Sequence, residues 1–272
     1  MGRRGFTAMG AMLICLVLLG CAPLMESKGS GRVHPAAQEE KAGLPDEELQ
    51  RPPVPERITD HGWTRRVFKE EEFLRWEKLD PTLDRSQCVK ILARLNTKAD
   101  FSITGDIRDG RPLQVPNDFR AFRDWNPLPD VLPNLSHLPR SIVVVKDIPF
   151  LGWYARGKRV GGSHVGLGKP GEATEAGVFR VLEKEADKYS RSYRNDFGEP
   201  AWMPWALRVY DAVWIHAGYL TGPYCSHGCL ILPVEAAEEL FHWSDTQTVV
   251  VITESLEDLR RLLSKPLRAA SP

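Results

Sequence analysis

The chain has 272 residues, with 36 basic and 36 acidic side chains, so its formal net charge is zero. Binding to nucleic acid requires an excess of positive charge, so this balance argues against a nucleic-acid partner. Hydrophobic residues make up 42% of the chain, which is typical of a globular protein. The length of the chain is enough for one medium-sized domain and an appendage.

The first residues have the pattern of an export signal. Two arginines precede an apolar run from Ala8 to Leu19, which is too short for a typical membrane-spanning helix. The run ends in Leu18-Leu19-Gly20-Cys21, which resembles the lipobox of bacterial lipoproteins. This resemblance implies a signal peptide at residues 1–20, lipidation of Cys21 and attachment to a membrane through that lipid. It also implies the periplasmic side of the envelope, with the outer membrane favoured because Ala22 follows; an ordinary secretory signal is the alternative.

The next two segments differ in composition. Residues 21–57 are rich in glycine, proline, glutamine and charge, which predicts a flexible tether. Residues 58–139 are predicted to form a small helical or mixed N-terminal subdomain. Helices are expected at Phe68–Leu79 and Val89–Leu95, where apolar residues recur at helical spacing. A proline-rich connector at 127–139 ends this subdomain.

From Ser141 onwards the pattern changes to short apolar runs separated by turn residues. The predicted strands are Ile142–Val145, Phe150–Ala155, Lys158–Val160, Gly177–Leu182, Leu207–Tyr210, Ala212–Ile215 and Thr248–Ile252, with one helix at Glu235–Phe241. These elements predict a mainly β fold with a few helices, a β-sandwich or barrel-like domain at residues 140–254. A C-terminal helix or tail follows at residues 255–272.

Candidate catalytic residues are concentrated towards the end of this domain. His216 closes an apolar, β-branched run, and Cys229 follows thirteen residues later in the turn Ser226-His227-Gly228-Cys229. A thiol is a good nucleophile only as the thiolate, and a neighbouring imidazole is the usual group that takes its proton. Gly228 permits close backbone approach, so the amides of His227, Gly228 and Cys229 are candidates for an oxyanion hole.

The same residues fit three other interpretations. In the first interpretation, Cys229 is simply a small buried hydrophobic residue. In the second, Cys225 forms a disulfide with Cys229, which would block the nucleophile. In the third, both cysteines bind zinc together with His216 and His227. If Cys15 leaves with the signal and Cys21 is lipidated, three thiols remain, and this odd number does not require a disulfide.

Together these features resemble the L,D-transpeptidase catalytic domain, also called the YkuD-like fold, over about Ser141–Ile252. The signature of that family is a histidine, a variable loop and Ser-x-Gly-Cys, followed by an apolar residue, an arginine or asparagine, and another apolar residue. Here it corresponds to His216 and to Ser226–Leu232. The segments Thr174–Phe179 and Met203-Pro204-Trp205 resemble two further family elements.

The chain departs from the family pattern at Ile231, where an arginine or asparagine is usual. In the family that polar group is thought to organise the site or to bind a substrate carboxylate. Other residues are candidates to supply a cation or to line the cleft. The cation candidates are Arg180, Arg191, Arg194 and Arg208, and the cleft candidates are Trp202, Trp205, Tyr219 and Tyr224.

The resemblance implies a cysteine-dependent transpeptidase that acts on peptidoglycan stem peptides through a thioester, without a metal or other cofactor. Cys229 is the expected nucleophile and His216 the general base and acid. Ser226 is expected to fix the turn, His227 and Gly228 to support the oxyanion, and the carbonyl of Ala217 to orient His216. Two alternatives remain: a thiol hydrolase, acting as carboxypeptidase or amidase on the same fold, and a non-catalytic peptidoglycan-binding lipoprotein.

Overall fold

The computed structural model of the protein describes residues 62–195, 197–265 and 267. The predicted signal peptide, the tether and Cys21 lie outside the described residues. None of the described helices is both long enough and apolar enough to cross a membrane.

The described residues form strands and α-helices in the following order. The strands are β1 (Trp63–Val67), β2 (Pro112–Pro116), β3 (Arg140–Val145), β4 (Phe150–Ala155), β5 (Lys158–His164), β6 (Leu167–Gly168), β7 (Gly177–Arg180), β8 (Glu183–Arg194), β9 (Pro200–Tyr210), β10 (Val213–Ala217), β11 (Tyr224–Ser226), β12 (Leu230–Leu232) and β13 (Val249–Thr253). The helices are α1 (Glu71–Leu79), α2 (Arg85–Asn96), α3 (Asp100–Arg108), α4 (Val234–Trp243) and α5 (Leu256–Leu262).

Two sheets face each other in the second part of the chain. One has the strand order β5-β4-β3-β13-β7, and the other has the order β12-β10-β9-β8. Apolar side chains from both sheets form the core between them, including Ile142 and Leu151 from the first sheet and Leu207, Ile215 and Leu230 from the second. This arrangement is a β-sandwich. The predicted mainly β fold with a few helices is therefore confirmed.

The second face of the five-stranded sheet is also covered. Val143, Val145 and Val251 on this face pack against Leu259 of α5 and against apolar residues of the connector, such as Leu135. Burial on both faces explains why β3 and β13 are continuous apolar runs.

The N-terminal residues have their own apolar core. Strands β1 and β2 pair antiparallel. With α1, α2 and α3 they enclose a cluster that includes Phe68, Leu92, Ile103, Val115 and Phe119. The mixed character predicted for this part of the chain is visible in these elements.

The first helix begins later than the sequence pattern predicted. Phe68 is not helical but is buried in the N-terminal core, and α1 starts at Glu71. The carboxylate of Glu72 accepts a hydrogen bond from the Lys69 amide at 2.9 Å and pairs with Arg66. A side chain that bonds the amides ahead of a helix fixes the helix start, which the apolar periodicity alone does not show.

Helix α3 and strand β8 are among the elements that the prediction missed. Helix α3 contains a glycine and β-branched residues, which weaken its helical signal, yet Ile103 and Ile107 are buried four residues apart on one face. Strand β8 is mostly polar and exposed, because it pairs only with β9 at the edge of its sheet. A strand without alternating burial leaves no period-two pattern in the sequence.

Candidate active site

The predicted nucleophile and base lie on neighbouring strands. Strands β10 and β12 are parallel, with Ile215 opposite Leu230 and His216 opposite Ile231. Cys229 directly precedes β12 and packs against a cluster of Met203, Ala206 and Trp214. Because side chains alternate along a strand, Trp214 and His216 share one face of β10. The thiol and the imidazole are therefore brought to the same face of the four-stranded sheet.

The imidazole of His216 is buried, and its orientation is fixed by the backbone. Its Nδ1 atom lies 2.8 Å from the carbonyl oxygen of Ala217. A carbonyl can only accept, so Nδ1 carries the proton and Nε2 is left as an acceptor. Burial lowers the pKa of His216 below its ordinary value, and the hydrogen bond with Ala217 opposes this shift. The ring is therefore neutral at physiological pH and is suited to accept a proton.

The thiol of Cys229 is also held in its uncharged form. Burial raises its pKa above the ordinary value of a thiol, while a hydrogen bond from the backbone of Trp214 acts in the opposite direction. Both shifts disfavour a resting thiolate–imidazolium pair. Both directions favour a neutral thiol and a neutral imidazole in the free protein.

The turn before Cys229 is fixed by two hydroxyl groups. Ser226 Oγ donates to the Cys229 carbonyl at 2.6 Å and accepts from the Gly228 amide at 3.1 Å. Thr174 Oγ1 donates to the Gly228 carbonyl at 2.9 Å and accepts from the Gly168 amide at 3.0 Å. Gly228 has φ 112°, a conformation that favours glycine. Because the Gly228 amide is bound inside the turn, the amides of His227 and Cys229 are the better candidates for an oxyanion hole.

The side chain of His227 is half-exposed and contacts two other parts of the domain. Its ring stacks on Tyr193 of β8, with centroids 4.1 Å apart. Its Nε2 atom lies 3.7 Å from Glu172, whose carboxylate also pairs with Lys169 at 3.1 Å. These contacts give His227 a structural role in holding β8 and the 169–172 segment against the turn.

The residue at the position of the family's arginine is packed as an apolar side chain. Ile231 is only 9% exposed and lies opposite His216 on β12. Three of the four cation candidates from the sequence have contacts elsewhere. Arg208 pairs with Glu183, Arg194 donates to the Gly198 carbonyl, and Arg180 donates to Gln247.

The floor of the site beside Cys229 is formed by Met203, Ala206 and Trp214. Trp214 was missed as a site residue, although its spacing of two from His216 on a strand would have placed it on the same face. The aromatic residues expected in the cleft have other partners. Trp205 packs on the sandwich core and on Phe241, Tyr219 stacks on Phe101, and Trp202 donates to Asp187.

The structure also bears on the alternative interpretations of the cysteines. Cys88, Cys225 and Cys229 are free thiols. Within residues 62–195, 197–265 and 267, no three His, Cys, Asp or Glu side chains are grouped as metal ligands. Cys88 is buried in the N-terminal core, where burial raises its pKa to about 12, so it is an inert packing residue.

Several solved structures are similar to this chain. They include an L,D-transpeptidase from Stackebrandtia nassauensis (22% identity, 43% of this chain and 56% of that chain, TM-score 0.38) and one from Mycobacterium smegmatis (20% identity, 42% and 58%, TM-score 0.38). L,D-transpeptidase 3 from Mycobacterium tuberculosis, in complex with a faropenem-derived adduct, is another (20% identity, 43% and 60%, TM-score 0.39). The chain spans about three fifths of the length of each of these structures. No significant match was found among the curated proteins.

The family assignment comes from a comparison with protein-family models, since these TM-scores are low. The matching model is YkuD, described as the L,D-transpeptidase catalytic domain, and the match extends over residues 139–252. That range contains nearly all of the two sheets, the turn that presents Cys229, and His216. Residues 139–252 therefore match the YkuD family of L,D-transpeptidase catalytic domains.

Proposed function

We propose that this protein is an L,D-transpeptidase that acts on peptidoglycan stem peptides through a thioester on Cys229. The observation that carries the proposal is that His216 lies on β10, while Cys229 directly precedes the adjacent strand β12, in residues that match the YkuD model. The bond between Nδ1 of His216 and the Ala217 carbonyl leaves Nε2 free to take the thiol proton. A third group that orients the base is the usual complement of such a pair.

In the first half-reaction, Sγ of Cys229 attacks the carbonyl carbon of the diaminopimelate–D-alanine bond of a donor stem. Because thiol and imidazole are both neutral at rest, the proton moves from Sγ to Nε2 of His216 as the S–C bond forms. The carbonyl oxygen becomes negatively charged, and the amides of His227 and Cys229 are placed to stabilise it. Collapse of this intermediate breaks the C–N bond. The leaving amine takes the proton from His216, and a thioester remains on Cys229.

In the second half-reaction, an acceptor amine attacks the thioester carbon and passes a proton to His216. The C–S bond breaks, and the sulfur recovers its proton from His216. Water is abundant, so transfer to an amine requires an acceptor held in attack geometry. Attack by water on the same thioester would give the hydrolase that the sequence left as an alternative.

The test is mass spectrometry of full-length protein incubated with purified disaccharide-tetrapeptide. We expect released D-alanine, cross-linked dimers and an acyl adduct on the peptide that contains Cys229. The Cys229→Ala variant should yield none of these products. The matched control is Cys225→Ala, which removes another free thiol four residues away and should retain activity.

Three results would change the proposal. Tripeptide without dimers would indicate a hydrolase. Loss of activity in Cys225→Ala, with activity retained in Cys229→Ala, would reassign the nucleophile. Binding of peptidoglycan without any product from the unsubstituted protein would indicate a non-catalytic binding protein.

A further inference from the structure

A lysine of β8 lies close to the nucleophile. The ammonium nitrogen of Lys188 is 4.4 Å from the ring centroid of Trp214. Trp214 belongs to the small cluster, with Met203 and Ala206, against which Cys229 packs. Lys188 and Cys229 therefore both adjoin the cluster that contains Trp214.

An irregularity in β9 creates this arrangement. In the β8–β9 pairing, Lys188 lies opposite Met203 and Glu185 lies opposite Ala206. Met203 and Ala206 are three residues apart, so regular alternation would place them on opposite faces. Trp205 between them has φ 58°, a left-handed conformation that breaks the alternation. Both residues consequently pack on Trp214, and the side chain of Lys188 comes within 2.8 Å of Glu185.

The ammonium of Lys188 keeps capacity for a ligand. Its side chain is only 12% exposed, and it donates one hydrogen bond, to Oε1 of Glu185. An ammonium has three N–H donors; one binds Glu185 and the ammonium also faces the indole of Trp214, which leaves a donor for an acceptor that enters the site. A hydrogen bond between such a partly buried cation and a carboxylate is charge-assisted, and few water molecules compete for it.

Lys184, on the same strand, has only structural contacts and serves as a comparison. Lys184 also lies over an aromatic ring, that of Phe241, at 4.5 Å. It donates to the carbonyl oxygens of Phe241 and Ser244, so it ties β8 to the end of α4. Among the described residues Lys188 has one acceptor, the carboxylate of Glu185, and it contacts the ring of Trp214. The difference indicates that Lys188 serves a ligand.

We propose that Lys188 binds the C-terminal carboxylate of the acyl donor. The inference rests on the proposed function. In a donor that ends in D-alanine, only the amide nitrogen and one α-carbon separate the scissile carbonyl from that carboxylate. A cation for this carboxylate must therefore lie near the nucleophile, and Lys188 adjoins the cluster on which Cys229 packs. The side chains of Arg180, Arg194 and Arg208 donate to other groups.

The test compares two donors that differ in one group. Disaccharide-tetrapeptide with its free C-terminal carboxylate is compared with the same molecule carrying a C-terminal carboxamide. Binding is measured calorimetrically on the full-length Cys229→Ala protein, which does not consume the donor. We expect the carboxylate form to bind roughly 10- to 100-fold more tightly. Adding Lys188→Met should remove this preference while leaving the affinity for the carboxamide nearly unchanged.

Two further variants separate ligand binding from folding. Lys188→Arg keeps the charge and should keep much of the preference for the carboxylate. Lys184→Met removes the structural lysine and should leave the preference intact. Equal weakening of both donors in Lys188→Met would overturn the proposal, because a packing role affects both alike. Loss of the preference in Lys184→Met, or equal binding of both donors before any change at Lys188, would also overturn it.

The binding result does not depend on turnover. A Cys229→Ala protein that discriminates between the donors would support the role of Lys188 even if the unsubstituted protein formed no cross-links. Conversely, active protein that binds both donors equally would leave the proposed function in place and remove the role of Lys188.

Discussion

The turn that presents Cys229 and the loop that leads into it are held in opposite ways. The turn, residues 226–229, is fixed by hydroxyl groups within the catalytic domain, from Ser226 and Thr174. The loop, residues 218–223, is bound to the strands at its ends through the Gly218 amide and the Pro223 carbonyl, and Cys225 Sγ of β11 lies 4.0 Å from the Tyr219 carbonyl oxygen. Its middle is also held by the N-terminal residues.

Two contacts make this connection. The Ala99 amide donates to the Leu220 carbonyl at 2.8 Å, and the ring of Phe101 packs on that of Tyr219 with centroids 4.2 Å apart. The comparison indicates that the turn keeps its shape without help from the N-terminal subdomain, whereas the loop between the base and the nucleophile depends on it. The N-terminal subdomain thereby gains a role in positioning that its sequence does not show.

The largest effect on activity is expected from replacing the base itself. The effects of disturbing the turn and the loop are compared with it below. We expect His216→Gln to lower kcat/KM by roughly 1,000-fold, because a positioned general base contributes about 10²- to 10⁴-fold. Glutamine cannot take the thiol proton at neutral pH. The measurement is steady-state release of D-alanine as a function of pH.

The pH profile of kcat/KM tests whether the Cys229 thiol and the His216 imidazole are both neutral in the free protein. Burial lowers the pKa of His216, so the acid limb of kcat/KM should fall below the ordinary histidine value of 6.5. The base is active when unprotonated, and a lower pKa extends activity to more acidic solution. This limb should be absent in His216→Gln. An acid limb above pH 6.5 would contradict the neutral pair and would favour a charged resting state.

The second effect concerns the turn. Thr174→Val replaces a fully buried hydroxyl by a methyl group of similar shape and leaves the Gly168 amide and the Gly228 carbonyl without their partner. A buried polar group that loses its partner costs about 1–3 kcal/mol, so the free energy of unfolding should fall by about that amount. We also expect kcat to fall by about tenfold, since small displacements of the nucleophile are costly. Denaturant unfolding and D-alanine release measure the two effects.

Thr174→Ser is the matched control, because it keeps the hydroxyl and loses only a methyl group. It should restore most of the activity. If the valine and serine variants were equally impaired, the methyl group would be the important part of Thr174, and the hydrogen bonds would not be what holds the turn.

Some of this organisation was predictable from the sequence. The pattern of His216 and Ser226-His227-Gly228-Cys229 is local, so it marked the turn and the strand before it. The mainly β fold followed from the apolar runs of β3, β4 and β13.

Other parts depend on long-range geometry. The position of Lys188 depends on the left-handed conformation of Trp205, a residue type that seldom adopts it. The contact of Ala99 with Leu220 joins residues far apart in the chain, and a backbone hydrogen bond of this kind leaves no side-chain pattern. Sequence periodicity reports burial along one element, so it does not reveal which distant element supplies a hydrogen bond.

The smallest effect is expected where the N-terminal residues hold the loop. Ala99 has φ −74° and ψ 151° at the start of α3, and proline fits that conformation. Ala99→Pro therefore removes the amide hydrogen that reaches Leu220 and places the ring Cδ against the Leu220 carbonyl oxygen. Because the replaced amide is hydrogen-bonded, the loss exceeds the gain of about 0.4–1 kcal/mol from the lower entropy of the unfolded chain. We expect a small decrease in the free energy of unfolding and a decrease in kcat of about two- to fivefold, since one net hydrogen bond contributes about 0.5–1.5 kcal/mol.

Hydrogen exchange of the amides in residues 218–223 distinguishes loosening of the loop from a general loss of structure. In Ala99→Pro these amides should exchange faster, while those of β10 and β13 should be unchanged. Ala99→Ser is the control, because it keeps the amide hydrogen and places a favourable residue at the helix start. Unchanged exchange in the loop, together with unchanged kcat, would show that the sheets hold the loop without the N-terminal subdomain. Faster exchange with unchanged kcat would show that the N-terminal subdomain holds the loop, but that loosening of the loop does not disturb the positions of His216 and Cys229.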